Sequence, residues 1–283
     1  IIAITGSCGK TTLKELLGKA LSKISKVSIS PKSYNNKFGV PLSLFNIKQN
    51  DEFGILEVGM DKKGEIDYLS KIIEPNVGVI TNINYAHAKN FKDIEQIALA
   101  KSEIINNIRS NGFIVLNADD NFFRLHQKIA YKKDLKVISF GIKNQKANIK
   151  LIDVKPSGKK FKINISLNNQ NRYFLISDDF QNNIYNILSA LSVISIYKNI
   201  FRLNKNIFLN FKIPGGRGDH SIIKINNKKV NLIDQSYNSN PLSLTSAIKN
   251  YDKIDTKKSQ KYLLIGDMLE LGSHSKKLHQ SIA

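Results

Sequence analysis

Ile1-Ile2-Ala3-Ile4-Thr5-Gly6-Ser7-Cys8-Gly9-Lys10-Thr11-Thr12 opens the chain and decides its fold. A short apolar run passes into a turn with two glycines. Lysine, threonine and an amphipathic stretch from Leu13 to Leu21 follow. Read by periodicity, this is a buried strand, a tight loop and a helix. Gly6 and Gly9 let the backbone turn sharply enough for successive N–H groups to point at one anion. Lys10 can reach phosphate oxygens, the Thr11 hydroxyl can ligate Mg²⁺, and the helix start adds its positive end. The usual spacing, G-x-x-x-x-G-K-[ST], would need glycine at position 4, where Ile4 stands. The shorter G-x-x-G-K-T-T leaves a helix-capping turn as the plain alternative. The apolar strand before it and the amphipathic helix after it favour a phosphate loop.

Outward from this unit, strand-like and helix-like runs alternate. Strands are predicted at 1–5, 27–30, 54–58, 77–81, 113–117 and 137–140, and helices at 11–22, 65–73, 94–108 and 121–131. Such alternation predicts an α/β fold with a mostly parallel sheet flanked by helices on both faces. Between 149 and 176 the pattern turns to strict alternation around Pro156-Ser157-Gly158, which reads as an antiparallel hairpin and a small antiparallel subsheet. A helix is predicted over 183–197. Pro214-Gly215-Gly216-Arg217-Gly218 reads as a linker. This divides the chain into a nucleotide-binding domain, 1–213, and a second α/β domain, 214–283. In the second, a hairpin, a strand at 230–234, a helix from Pro241 and a strand at 262–266 are expected. The missing initiator Met, the opening directly on a strand and the end within a helical pattern read as a fragment, with the second domain truncated.

The 283 residues are 41% hydrophobic, enough for a folded globule. No run approaches the roughly 20 apolar residues of a membrane span. A single cysteine, Cys8, excludes an internal disulfide framework and fits a reducing, cytoplasmic setting. The net charge of +20 could mean a nucleic-acid partner. The lysines are spread over every segment with no aromatic-interleaved cluster, which reads as compositional bias and favours small polyanions.

Several residues follow strand ends, where ligands of open α/β sheets bind. Glu57 closes the apolar run Ile55-Leu56-Glu57 and is a candidate Mg²⁺ ligand. His87 follows the strand at 77–81 and reads equally as a structural histidine. Lys101 lies in a helical run and by itself is a solvated lysine. Asn183 and Asn186 share a helix face at i, i+3, where they could bond a nucleobase or cap the helix. The segment 32–41 reads as a polar loop, either a connection or a substrate loop.

Together these segments resemble the Mur ligase family. Gly6-Ser7-Cys8-Gly9-Lys10-Thr11-Thr12 is similar to its shortened phosphate loop. Tyr34-Asn35-Asn36, Glu57-Val58-Gly59-Met60, Thr81-Asn82-Ile83 with Ala86-His87, and Ala100-Lys101-Ser102-Glu103 resemble its central domain. Asp234 to Pro241 and Gly266-Asp267-Met268-Leu269-Glu270-Leu271-Gly272 resemble its C-terminal domain, which is Rossmann-like. Lys37, Gln235, Asn182 and Val58 depart from the family pattern.

The resemblance implies a three-domain, ATP- and Mg²⁺-dependent ligase of peptidoglycan synthesis, cytoplasmic and monomeric. It would join D-alanyl-D-alanine to UDP-MurNAc-tripeptide through an acyl phosphate, with no nucleic acid or membrane involved. It implies that Thr5, Gly6, Ser7, Cys8, Gly9, Lys10, Thr11 and Thr12 cradle the phosphates. Thr11 and Glu57 would take one Mg²⁺, and His87 with a carbamylated Lys101 a second. Lys10, His87 and Lys101 would be catalytic. Asn183 and Asn186 would face the adenine, and Arg217 and Asp234 would reach the nucleotide. Two rivals stay open: a folylpolyglutamate-type ligase of the same fold and a basic P-loop ATPase acting on nucleic acid.

Overall fold

The computed structural model describes residues 1–254 and 260–282. Its frame is one nine-stranded sheet, in the order β2-β3-β1-β4-β5-β6-β7-β8-β9. The strands are β1 (Ile2–Thr5), β2 (Val27–Ile29), β3 (Phe53–Glu57), β4 (Val77–Ile80), β5 (Phe113–Asn117), β6 (Lys136–Gly141), β7 (Ile149–Ser157), β8 (Lys160–Leu167) and β9 (Gln170–Ser177). From β2 through β7 all neighbours run parallel, while β7–β8 and β8–β9 are antiparallel. The expected hairpin is thus a three-stranded antiparallel extension of the main sheet.

Alternate residues of each strand feed opposite cores, as the period of two requires. Ile2 and Ile4 of β1, Ile55 of β3 and Val77 and Val79 of β4 face one core. That core is closed by α1 (Lys10–Leu21) and α6 (Ile184–Tyr197). Ala3, Leu56 and Ile80 face the other, closed by α3 (Glu65–Ile73), α4 (Ile94–Ser102) and α5 (Phe123–Tyr131). Strands buried on both faces explain the near-continuous apolar runs in the sequence. The short α2 (Gly39–Phe45) lies between β2 and β3.

The strand order reverses at β1. The chain moves to β2 and β3 on one side, then to β4, β5 and β6 on the other. Ligand crevices form at such switch points, beyond the carboxyl ends of the strands. The phosphate loop leaves β1 there, with the β3 and β4 loops on either side.

Beyond Pro214 come β10 (Asp219–Ile225) and β11 (Lys228–Asp234), then α7 (Pro241–Asp252) and α8 (Ser275–Gln280). The β10–β11 hairpin is a separate two-stranded sheet. No strand forms over 262–266, where Leu264 is 95% exposed. A strand needs a ladder partner, and among the described residues none runs beside this one. The expected strand of the Rossmann-like second domain is therefore not formed by these residues. The predicted helix at 94–108 is α-helical only to Ser102 and tightens into a 3₁₀ turn over Glu103–Asn107. There the side chains turn toward α3. Glu103 accepts from the Gly64 and Asp67 N–H groups, and Asn107 donates to Asp67. No helix of the described residues is long and apolar enough to cross a membrane.

Candidate active site

The cleft at the switch point has a volume of about 1260 Å³. Its floor is the phosphate loop. Gly6 sits at φ 142°, and a Cβ there would lie 1.9 Å from the Thr81 hydroxyl oxygen, so only glycine fits. Gly9 takes φ 82° as the N-cap of α1. Two loop amides are already used. Ser7 N–H donates to the Asn82 carbonyl (2.9 Å), and Cys8 N–H to the Asn82 Oδ1 (3.0 Å). The Thr81 hydroxyl and Asn82 amide donate back to the Cys8 carbonyl. The free donors are thus the N–H groups of the first turn of α1, which have no carbonyl four residues back. The Lys10 ammonium folds back on the Gly6 carbonyl (2.9 Å), next to the space a phosphate would fill. The Thr5 hydroxyl is buried without a hydrogen-bond partner and does not line the cleft. Thr12 lines it at the start of α1.

β3 and the following loop bring hard oxygen donors to the same point. Glu57 is 2% exposed. It accepts from the Thr11 hydroxyl (2.7 Å) and from the Asn35 amide (2.7 Å). Ser33 Oγ lies 3.4 Å from the Thr11 hydroxyl and accepts from Arg217 Nη2 at 3.2 Å. Arg217, held over the Tyr237 ring, thus reaches the phosphate-loop helix from the far side of the cleft. The loop bearing Ser33 and Asn35 is anchored by Lys14, fully buried in α1, whose ammonium donates to the carbonyls of Ser30 and Lys32 and pairs with Glu15. A buried ammonium is tolerated only when its protons are so satisfied.

Lys101 is the electrostatic oddity. It is 1% exposed, and among the described residues no carboxylate pairs with it. Burial, then the nearby Lys10 charge, hold its ammonium well below the ordinary lysine range. Burial likewise pushes the Cys8 thiol up, against the pull of Asn240. Asn240 N-caps α7 and meets Cys8 Sγ through both atoms of its amide, at 3.1 and 2.9 Å. His87 stands at φ 56° in the loop after β4. Desolvation lowers its pKa, with Glu270 pulling the other way, so the ring is neutral near pH 7 and able to act as a metal ligand. Its Nδ1 touches a carboxylate oxygen of Glu270 and lies 3.6 Å from Asp61 Oδ1.

Asn183 and Asn186 both line the cleft, joined by a 3.0 Å hydrogen bond. Asn186 Oδ1 would lie 2.8 Å from a Cβ on Gly9, so it packs against the phosphate loop. Asp234 does not line the cleft: its carboxylate accepts from Ser236 N–H at 2.8 Å at the end of β11. The structure therefore brings together Ser7, Cys8, Gly9, Lys10, Thr11, Thr12, Glu57, His87, Asn183, Asn186 and Arg217 around the cleft, but not Asp234. Gly6 lies beneath the loop, and Lys101 is buried within the electrostatic reach of Lys10 and Cys8. Sequence reasoning assigned no role to Lys14 or Asp61, and used Asn35, Asn82 and Glu270 only within quoted motifs. The Asn35 position was legible as a loop between strands; the others carry no local signal.

The donor set fits a nucleotide with a divalent cation. A glycine-only turn excludes side chains from the anion cradle, and buried hydroxyl and carboxylate oxygens are the donors Mg²⁺ prefers. Residues 4–194 match the Mur ligase middle domain. A UDP-N-acetylmuramoyl-tripeptide–D-alanyl-D-alanine ligase of Buchnera aphidicola is 36% identical over 100% of this chain and 60% of its own length. The crystal structure of MurF from Acinetobacter baumannii superposes with a TM-score of 0.86 at 27% identity, over 99% of this chain and 59% of that one. That of the Thermotoga maritima MurF ligase in complex with ADP gives 0.85 at 25% identity, over 99% and 62%. The chain thus spans about 60% of the length of the curated relatives it matches. A match to the family's middle domain over most of the nine-stranded unit, on a site built of its motifs, means that this chain belongs to the Mur ligase family.

Proposed function

We propose that this chain forms the nucleotide-handling part of an ATP-dependent amide ligase that joins D-alanyl-D-alanine to UDP-MurNAc-tripeptide in peptidoglycan synthesis. The observation that carries this reading is the convergence of the phosphate loop, the Glu57–Thr11 pair and His87 beyond the ends of neighbouring strands, with Lys101 buried in α4 within electrostatic reach of Lys10. Bound ATP with Mg²⁺ would supply the phosphoryl group that activates the peptide carboxylate and the charge neutralisation its transfer needs. The rest falls to the protein. Lys10 swings from the Gly6 carbonyl to the terminal phosphate oxygens. The first-turn amides of α1 hold the phosphates between them. Thr11 and Glu57 would hold one cation, and His87 with Lys101 a second.

Lys101 suits that role once its amine is carbamylated. The lowered pKa supplies the neutral amine, which adds CO₂ and releases a proton. The product is an anion where the buried neutral amine stood. Arg217 and Ser33 would stabilise the transferring group from the other wall. Asn183 would face the adenine, while Asn186 packs against Gly9. We place the boundary between the central and second domains at 213/214, and the protein in the cytoplasm as a monomer. Lysines 37, 62 and 63 around the cleft fit polyanionic substrates, and the +20 charge needs no nucleic acid.

The test follows phosphate release from ATP by the protein carrying this chain, with UDP-MurNAc-tripeptide and with or without D-alanyl-D-alanine. Release that needs both substrates and disappears in Lys10→Ala and His87→Ala is expected. Release indifferent to the dipeptide and stimulated by DNA or RNA would overturn the reading.

A further inference from the structure

The segment Asp267–Gly272 is docked onto the loop that carries His87. Met268 and Leu271 are 3% and 1% exposed, inserted into the core that also holds Ile83 and Phe91. Lys89 N–H donates to the Glu270 carbonyl at 2.8 Å. A Cβ on Gly272, at φ 56°, would lie 2.7 Å from Lys89 Cα, so the two backbones are in contact. His87 and Glu270 face each other from left-handed backbones, φ 56° and 63°. Neither is a glycine, and such conformations persist where the surroundings impose them, often at functional sites.

The contact between these two side chains is chemically specific. A ring-nitrogen lone pair cannot face a carboxylate oxygen at contact distance, so the proton of a neutral His87 sits on Nδ1. The lone pair is then on Nε2. Lys89 Nζ lies 3.6 Å from Glu270 Oε1 and 3.7 Å from Asp61 Oδ2, so the two carboxylates already have a cation between them. This makes the cluster of Asp61, His87 and Glu270 a carboxylate frame against the ring Nδ1 rather than a metal cage.

We propose that Glu270 is a positioning residue that locks His87 in its Nδ1–H tautomer and so presents Nε2 to the cleft as a metal-donor atom. Because Glu270 arrives on the docked Asp267–Gly272 segment, the donor is set only when that segment is seated. Carboxylates commonly act in this way behind ligating histidines, and their loss typically costs 10- to 100-fold in metal affinity. The proposal rests on the reading of His87 as a cation ligand.

Two measurements test it. The first is the histidine ring tautomer in metal-free protein, by long-range ¹H–¹⁵N correlation, with the His87 signals assigned from His87→Ala. Wild type should show Nδ1–H. Glu270→Gln, whose amide oxygen still accepts, should keep it, and Glu270→Ala should lose it. The second is Mn²⁺ affinity with a non-hydrolysable ATP analogue, by EPR. Glu270→Ala should weaken it about tenfold and Glu270→Gln by less. An Nε2–H tautomer in wild type, or a Glu270→Ala variant unchanged in both readouts, overturns the proposal. So does a shift of Nδ1, rather than Nε2, on adding Mg²⁺. If His87→Ala itself leaves Mn²⁺ affinity intact, the cation-ligand reading fails instead.

Discussion

Gly6 is the residue on which the phosphate loop turns. Gly6→Ala must both adopt φ 142° and displace the Thr81 hydroxyl, which itself holds the Cys8 carbonyl at 2.6 Å. We expect the fold to lose about 3 kcal/mol, read as a lowered midpoint in urea unfolding. Cys8, one turn further on, makes the opposite kind of prediction. Burial raises its pKa, so less thiolate is present at any given pH than for a free cysteine. Alkylation by iodoacetamide should be slow at pH 8, and the midpoint of its pH–rate curve should lie above that of a free cysteine, about 8.5. A midpoint at or below that of a free cysteine would contradict this. Both residues were legible because their neighbours in sequence are also their neighbours in chemistry. Asn82 was not: it holds the loop amides from 74 residues away in the chain, and nothing in Thr81-Asn82-Ile83 announces that contact.

Among the elements, α1 does two jobs with its buried side. Leu13, Leu16, Leu17, Ala20 and Leu21 recur at helical spacing and bury against β1 and β3, which the sequence pattern shows directly. Lys14 falls on the same side by position and reads as a solvated lysine until its two carbonyl partners are seen. Lys14→Met would fit the volume but leave the Ser30 and Lys32 carbonyls without their donor. The expected cost is about 2–4 kcal/mol, with faster hydrogen exchange over residues 30–36. If exchange there is unchanged, Lys14 does not anchor the Ser33 loop.

The helix α2 was missed for a related reason. Its exposed positions, Phe38, Leu42 and Phe45, are apolar, while Gly39, Val40 and Ser43 face inward. The amphipathic pattern is thus inverted. Pro41 falls in the first turn, where its missing N–H costs nothing. Conversely, 262–266 has a strand's composition but no ladder beside it, and composition cannot supply a partner.

At the scale of the molecule, the two ends of the chain meet over the phosphate loop. Asn240 reaches Cys8 across 232 positions and Arg217 reaches Ser33 across 184. A nucleotide in the cleft would therefore touch both the nine-stranded unit and the elements after Pro214, and its binding energy would add to the stability of both. Mass action gives the size: at ligand a hundredfold above its dissociation constant, the stabilisation is about 2.7 kcal/mol. For a chain of this length that is a rise in Tm of roughly 4–5 °C. ADP with Mg²⁺ should produce that shift in wild type. Lys10→Ala should remove the shift while leaving the ligand-free Tm within a degree or two, because Lys10 bonds only the Gly6 carbonyl in the structure. Arg217→Ala separates the two units' contributions. If the elements after Pro214 close on the nucleotide, this variant should keep part of the shift, and hydrogen exchange in α7 should lose its nucleotide-dependent protection. Equal protection of α7 in wild type with and without nucleotide would mean that the second unit is seated without the nucleotide's help, by the Met268 and Leu271 contacts.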